Sequence, residues 1–458
     1  MIRNIGDGSM HLGRTAFVDQ LRQLGRPGGL GRATVLVTSS TAVTRALGLV
    51  ASLVGAAALG PSRLGAFAFL AVTASLVAAM GVLGSALLTT QRIADAKTIK
   101  GRRDTGAFAM SATTTLLALM GVAYWLTSQW QFIVRDWLGS PSPAVAAIVA
   151  LWALASGSNM MFVAIMTGNV AFKPYAVVSM LRGLSVGVCT ATAAVLTQST
   201  ELTALGAALG ESLVAVGTLV LVLKKRWIAG SARAGWRTNG RTLVKGALGA
   251  GTASLTIMIA IWGSQVLLLK TENGYAENGG FSLASRLIML VTFLPGSLAA
   301  ASLPFLSERS SSPVNRRRRL RAVWMGCVFS SLIVGAALAL AAPFMMPLLG
   351  AGYRRFTSTL VIMCATGVAM SANVVLGAVA VAEVRIRLWV VSDLVLAVAL
   401  LGLSALTVSS WGANGLAFSY AVSYTISAAM LSPLLFSGGR VESNARAISS
   451  LPPVKENR

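Results

Sequence analysis

Twelve apolar stretches, each long enough to cross a bilayer as a helix, occupy most of this chain. A span needs roughly 20 mainly apolar residues to cover about 30 Å of hydrocarbon, and in lipid only helices or closed barrels satisfy their own backbone. The apolar runs are continuous rather than alternating, which argues against a barrel. They predict helices over 33–58, 65–89, 107–128, 143–168, 175–197, 202–223, 246–269, 279–304, 322–348, 358–381, 387–408 and 413–436. Composition agrees, because 55% of the residues are hydrophobic and only 11% are charged. A soluble domain carries roughly 25% charged residues.

The net charge of +24 would by itself suggest nucleic acid, so the positions of the 38 Lys and Arg residues decide its meaning. Counting Arg387 at the edge of the eleventh span with the tenth loop, 30 of these lie in the amino-terminal tail, the second, fourth, sixth, eighth and tenth loops and the carboxy-terminal tail; five lie in the other loops and three within spans. That asymmetry follows the positive-inside rule and predicts a multi-pass protein of the inner (plasma) membrane with both termini cytoplasmic. Nucleic acid is not an expected partner. Membrane lipids are, since Lys224, Lys225, Arg226 and the run Arg316 to Arg319 can meet anionic headgroups. Residues 1–32 hold Arg3, Arg14, Arg22, Arg26 and Arg32 without an apolar core, unlike a cleaved signal peptide. Cys189, Cys327 and Cys364 fall inside spans with no short CxxC spacing, and His11 is the only histidine. No metal site or cofactor is expected from them.

The basic stretch 224–245 separates six predicted spans from six. The organisation read from this is a cytoplasmic tail (1–32), an N-lobe (33–223), a cytoplasmic linker (224–245), a C-lobe (246–437) and a second tail (438–458). The fold class expected is an all-α integral membrane protein, with two six-helix lobes related by a pseudo-two-fold axis near the membrane normal. A weak echo at an offset of 214 residues supports duplication: Gly65 and Phe67 meet Gly279 and Phe281, Asn159 meets Asn373, Lys173 meets Arg387, and Tyr175 meets Trp389. Parallel repeats with a site at their interface suit alternating access. The loops are short, and the predicted external ones offer only Arg63, Arg135 with Asp136, Lys270, Glu272, Glu277, Arg354 and Arg355. No nucleophile elbow, Walker loop, paired carboxylates or metal-ligand cluster is evident, which argues against an enzyme or an ATP-driven pump.

Ionisable side chains in hydrocarbon are costly, so each marks a functional candidate. The set is Arg45, Arg182, Glu211, Arg286 and Asp393, with Glu201 near an interface. Arg45 belongs to a small and polar stripe, Thr34, Thr38, Thr41, Arg45, Gly48, Ser52 and Gly55, spaced to share one helical face. That face packs on another helix or borders a hydrated cavity. At 1.5 Å per residue, Arg45 is ~18 Å from the cytoplasmic end of the first span and Arg286 ~10 Å from the external end of the eighth. The two come from opposite lobes and could grip an anionic head, since guanidinium offers a planar fork suited to phosphate and carboxylate. Arg182, Glu211 and Asp393 have two readings each, as ion-pair or snorkelling residues or as coupling groups. Gln265, Asn159, Asn373, Tyr420 and Tyr424 could contact sugars or simply join helices.

Four segments carry a family resemblance. They are AALGPSRLGAFAF at Ala57 to Phe69, GGFSLASRLIMLVTFLPGSLAAASLPFLSE from Gly279, LLGAGYRRF from Leu348, and WGANGLAFSYAVS from Trp411. In order and spacing the chain resembles the bacterial O-antigen and exopolysaccharide flippases of the multidrug, oligosaccharidyl-lipid and polysaccharide exporter superfamily. The resemblance implies a V-shaped pair of lobes with a cavity lined mainly by spans 1, 2, 7 and 8. It implies a polyprenyl-pyrophosphate-linked oligosaccharide as substrate, moved from the cytoplasmic to the external leaflet, with polysaccharide polymerase or assembly machinery as partners. On this basis Arg45, Arg286, Thr41 and Gln265 are the expected substrate contacts, and Arg182, Glu211 and Asp393 the expected ion-pair or coupling residues. A cation-coupled multidrug antiporter is the alternative, although spans 1, 7 and 10 lack the acidic residues that family commonly uses. A membrane polymerase or ligase is a third reading, weakened by the short external loops.

Overall fold

The structure is a computed structural model that describes residues 29–96, 98–129, 142–293, 295, 313–382 and 385–435. The tails before residue 29 and after 435, Arg135 with Asp136, and the later part of the eighth predicted span lie outside them. The described chain is helical: α1 (Gly29–Val82), α2 (Ser85–Asp95), α3 (Ile99–Gln129), α4 (Pro143–Gly168), α5 (Phe172–Thr197) and α6 (Thr200–Lys224) form the first half. After the short α7 (Ala232–Gly235) come α8 (Arg241–Leu269), α9 (Gly274–Leu287), α10 (Pro313–Leu348), α11 (Thr357–Ala382) and α12 (Ile386–Leu431). Among the described residues, eight helices are long and apolar enough to cross a membrane.

Two of those eight are interrupted. α1 breaks at Gly60, where φ is 70° ahead of Pro61, and α12 breaks at Gly412, where φ is 52°. Such positive φ angles suit glycine alone at no steric cost. In α12 the break reverses the chain. Thr407 Oγ1 donates to the carbonyl of Gly415 at 3.0 Å, and the hydroxyls of Ser392 and Ser427 lie 2.6 Å apart. In a straight helix the latter pair would be separated by ~50 Å. Glu277 of α9 caps the returning segment, accepting from the Ala413 backbone N–H at 2.8 Å.

Polarity runs inside out relative to a soluble protein. Leu340, Phe344 and Leu348, one turn apart on α10, are 77%, 76% and 84% exposed. Meanwhile Ser392, Ser404, Ser419, Ser423 and Ser427 of α12 are fully buried. Lipid accepts the first set, and neighbouring backbone and hydroxyls satisfy several of the second.

The two halves meet where chains approach closely. A Cβ on Gly65 would fall on the Tyr275 carbonyl, and one on Gly279 on the Pro61 carbonyl; the Asn278 side chain donates to the Gly65 carbonyl at 2.8 Å. Gly65 and Gly279, equated by the 214-residue echo, therefore lie against each other. Farther from Gly60, Gly251 packs on the Leu83 carbonyl. Here Leu83 and Gly84 have φ of 44° and 70°, splitting the second predicted span into the end of α1 and α2.

The linker is docked rather than loose. Buried Asp104 on α3 accepts from the Ser231 backbone N–H at 2.7 Å, and Phe108 packs on Trp236 with ring centroids 5.5 Å apart.

The glycine contact yields a prediction. Gly65→Ala and Gly279→Ala should each lower the thermal unfolding midpoint in detergent, because overpacking costs about 1–3 kcal/mol. Gly217→Ala and Gly402→Ala, where a Cβ meets nothing within 4 Å, should not lower it.

Candidate functional site

Four helical stripes converge on a cavity of about 260 Å³ in the half of the molecule that carries the Gly60 break. Thr44, Gly48, Ser52 and Gly55 supply the α1 face, with Leu64 and Phe67 added beyond the break. α5 contributes Arg182, Val186 and Thr190, and α6 contributes Thr203, Ala207 and Glu211, each set four residues apart and so on one face. Trp152 enters from α4, and Ser282, Leu283 and Arg286 of α9 close the cavity from the second half of the chain. Small residues permit this convergence. A Cβ on Gly183 would meet Thr44, and one on Gly210 would meet Val186, so α5 packs tightly against both α1 and α6.

The cavity wall holds a bidentate ion pair. Arg182 Nη2 is 2.7 Å from Glu211 Oε1, and Nε reaches both carboxylate oxygens at 3.0 and 2.9 Å. Asn159 Nδ2 donates to Glu211 Oε2 at 2.7 Å, and Arg182 Nη2 also donates to Ser156 Oγ at 3.2 Å. Glu211, with its side chain only 7% exposed, is thus surrounded by donors from α4 and α5. Thr190 lines the same cavity, and its buried hydroxyl has no hydrogen-bond partner among the described residues.

Of the residues expected from sequence, Arg182, Glu211 and Arg286 line this cavity. Arg286 is exposed there and forms no ion pair among the described residues. Arg45 is not part of the lining; its guanidinium lies 5.8 Å from the centroid of the Phe293 ring. Phe293 follows Arg286 by seven residues, two helical turns, so Arg45 and Arg286 occupy successive levels, ~10 Å apart, along the meeting of α1 with α9 and the turns after it. Thr41 lies outside the lining, and its hydroxyl back-bonds to the Val37 carbonyl at 2.8 Å. Gln265 is buried in α8 with its Oε1 unpartnered among the described residues, and Asp393 is buried in α12; neither lines the cavity. Asn373 donates to Ser427 Oγ at 2.6 Å, and Tyr420 packs between Phe281 and Tyr424.

Sequence reasoning missed Trp152, Ser156, Thr190 and Thr203. Their signal was present as helical spacing: Trp152, Ser156 and Asn159 share a face of α4, Thr190 lies two turns beyond Arg182, and Thr203 two turns before Glu211. An in-span charge marks the inward face of its own helix.

Arg182→Met should destabilise the folded protein by about 3–5 kcal/mol, since it strands a buried carboxylate. Adding Glu211→Met should recover most of the loss, a pattern read from unfolding midpoints of the two singles and the double.

A family model described as polysaccharide biosynthesis protein matches residues 30–310. The fold is similar to that of the lipid II flippase MurJ in an inward closed conformation, with TM-score 0.69 and 12% identity over 88% of each chain. It is also similar to an inward-facing multidrug resistance MATE family transporter of the MOP superfamily, with TM-score 0.62 and 15% identity over 91% of this chain and 100% of that one. A MOP superfamily transporter from Pyrococcus furiosus, described as having reversed binding-pocket polarity, gives TM-score 0.59 and 15% identity over 90% and 96% of the chains. Comparison with curated proteins returns no match. With more than half of its length matched by the family model, and on the fold shared by these membrane transporters, this chain belongs to the polysaccharide biosynthesis protein family.

Proposed function

We infer that this protein is a flippase that moves a polyprenyl-pyrophosphate-linked oligosaccharide from the cytoplasmic to the external leaflet by alternating access. The observation that carries the reading is Arg286, a cation with no ion-pair partner among the described residues, facing from α9 a cavity otherwise built by the first half of the chain. An unpaired guanidinium held in hydrocarbon favours an anionic guest. Arg45, outside the cavity lining but one level away along the meeting of α1 with the turns after α9, extends the cationic path, so a pyrophosphate could pass from one arginine to the other while its lipid tail stays in the bilayer.

The proposed architecture is two six-helix lobes, 33–223 and 246–437, with both termini cytoplasmic in the inner membrane. The mutual contact of Gly65 and Gly279 supports it, since a residue near a two-fold axis meets its own counterpart. Assembly or polymerase machinery at the external leaflet would receive the product.

The likeness to MATE transporters favours one second reading, a cation-coupled drug antiporter. Against it, the one carboxylate lining the cavity, Glu211, is already held by Arg182 and Asn159. A cationic drug would have to displace both.

Export of lipid-linked sugar separates the two. Arg286→Ala and Arg45→Ala should each reduce translocation at least tenfold, roughly the loss of one charge-assisted contact, with normal amounts of protein in the membrane. Lys should restore part of it. Wild-type rates in both alanine variants would remove the cationic path, and resistance to lipophilic cations abolished by Glu211→Gln would favour the antiporter.

Orientation has its own test. A cysteine placed at Ser310 should resist an impermeant thiol reagent applied to intact cells, whereas one at Arg354 should react. The reverse pattern would invert the topology.

A further inference from the structure

We propose that the part of the cavity lined by Trp152, Thr190 and Arg182 is a subsite for a single pyranose ring. The proposal rests on the flippase reading for the source of that ring, as one sugar of the lipid-linked chain, but the chemistry comes from the lining itself.

An ion pair that merely joined helices would need only Arg182, Glu211 and Asn159. Three further features sit beside it. Trp152 lines the cavity one helical turn from Ser156, whose hydroxyl accepts from Arg182, and its indole stacks with Phe67 at 5.8 Å and 23°. The Thr190 hydroxyl, buried and unpartnered among the described residues, belongs to the same wall. The volume, about 260 Å³, lies below the roughly 300–1,000 Å³ of sites that enclose drug-sized ligands, so it takes one ring and not a chain.

A pyranose matches this set. Its axial C–H groups present an apolar, weakly positive face to the negative face of an indole. Its hydroxyls both donate and accept, which suits a guanidinium at the cavity wall and a threonine hydroxyl without a partner among the described residues. A free phosphate would gather at Arg286 and leave Trp152 and Glu211 without a role. An acyl chain would leave the charged pair and Thr190 without one.

Saturation-transfer NMR on the purified full-length protein in detergent tests the subsite, using methyl glucoside, methyl galactoside, methyl mannoside and N-acetylglucosamine as probes. At least one should receive saturation from the wild type. Trp152→Ala should weaken that binding roughly tenfold and Trp152→Phe much less. Thr190→Val, which keeps shape and removes the hydroxyl, should weaken it about fivefold. Absence of transfer to all four probes, or transfer that survives both Trp152→Ala and Thr190→Val, overturns the subsite. Translocation is measured separately. Wild-type export alongside absent sugar binding sinks the subsite alone, and sugar binding lost in these variants alongside absent export sinks the flippase reading alone.

Discussion

Hydrocarbon leaves a guanidinium two ways to remain charged, a carboxylate beside it or water around it. Arg182 takes the first through Glu211, whereas Arg286 faces the cavity with no carboxylate partner among the described residues. This difference organises the site. The paired arginine locks α4, α5 and α6 into one body through Ser156, Asn159 and Glu211. The unpaired one, arriving on α9 from the other half of the chain, leaves a charge that a guest can complete.

Close helix packing makes that arrangement possible. Gly183, Gly206 and Gly210 allow α5 to meet α1 and α6 at backbone distance, which brings Arg182 within reach of Glu211. The same device joins the halves, at Gly65 with Gly279 and at Gly251 with Leu83. Lipid offers little hydrophobic drive between helices, so close van der Waals packing of small residues and interhelical hydrogen bonds hold them instead. The Tyr353 hydroxyl, donating to the Ala56 carbonyl at 3.1 Å, is one such bond between the halves.

Helix positions were largely legible in the sequence, because hydropathy reports what lipid demands. The predicted 143–168 coincides with α4, and 175–197 and 202–223 lie within α5 and α6. Breaks with a Gly-Pro pair or a glycine-rich segment were visible as gaps at 60 and 412. The break at Leu83 and Gly84 was not, since the flanking residues are apolar on both sides. α2 and α8 also run beyond their predicted ends, at Asp95 and Arg241, because a polar turn lowers hydropathy without ending the helical hydrogen bonds. In the site, the charges were legible by their cost. Their partners were not: which carboxylate Arg182 meets depends on how α5 and α6 pack, and an aromatic such as Trp152 reads equally well as lipid-facing.

The cavity takes most of its chemistry from the first half of the chain. The 214-residue offset pairs Asn159 with Asn373 and Thr190 with Ser404, and the Thr190 and Ser404 hydroxyls are both buried without partners among the described residues. At the charged positions the correspondence ends: Arg182 faces Leu396, Glu211 faces Thr425 and Trp152 faces Thr366 in that pairing. Leu396 is buried in apolar contact, and Asn373 bonds to Ser427 where Asn159 bonds to a carboxylate. The first half therefore bears the ion pair and the indole, and the second contributes Arg286 at the boundary. The lining is therefore asymmetric, with an ion pair, an indole and threonine hydroxyls from the first half and a guanidinium from the second. A guest that carries both an anion and hydroxyl groups would find in this one lining a guanidinium without a carboxylate partner among the described residues, an indole and the Thr190 hydroxyl.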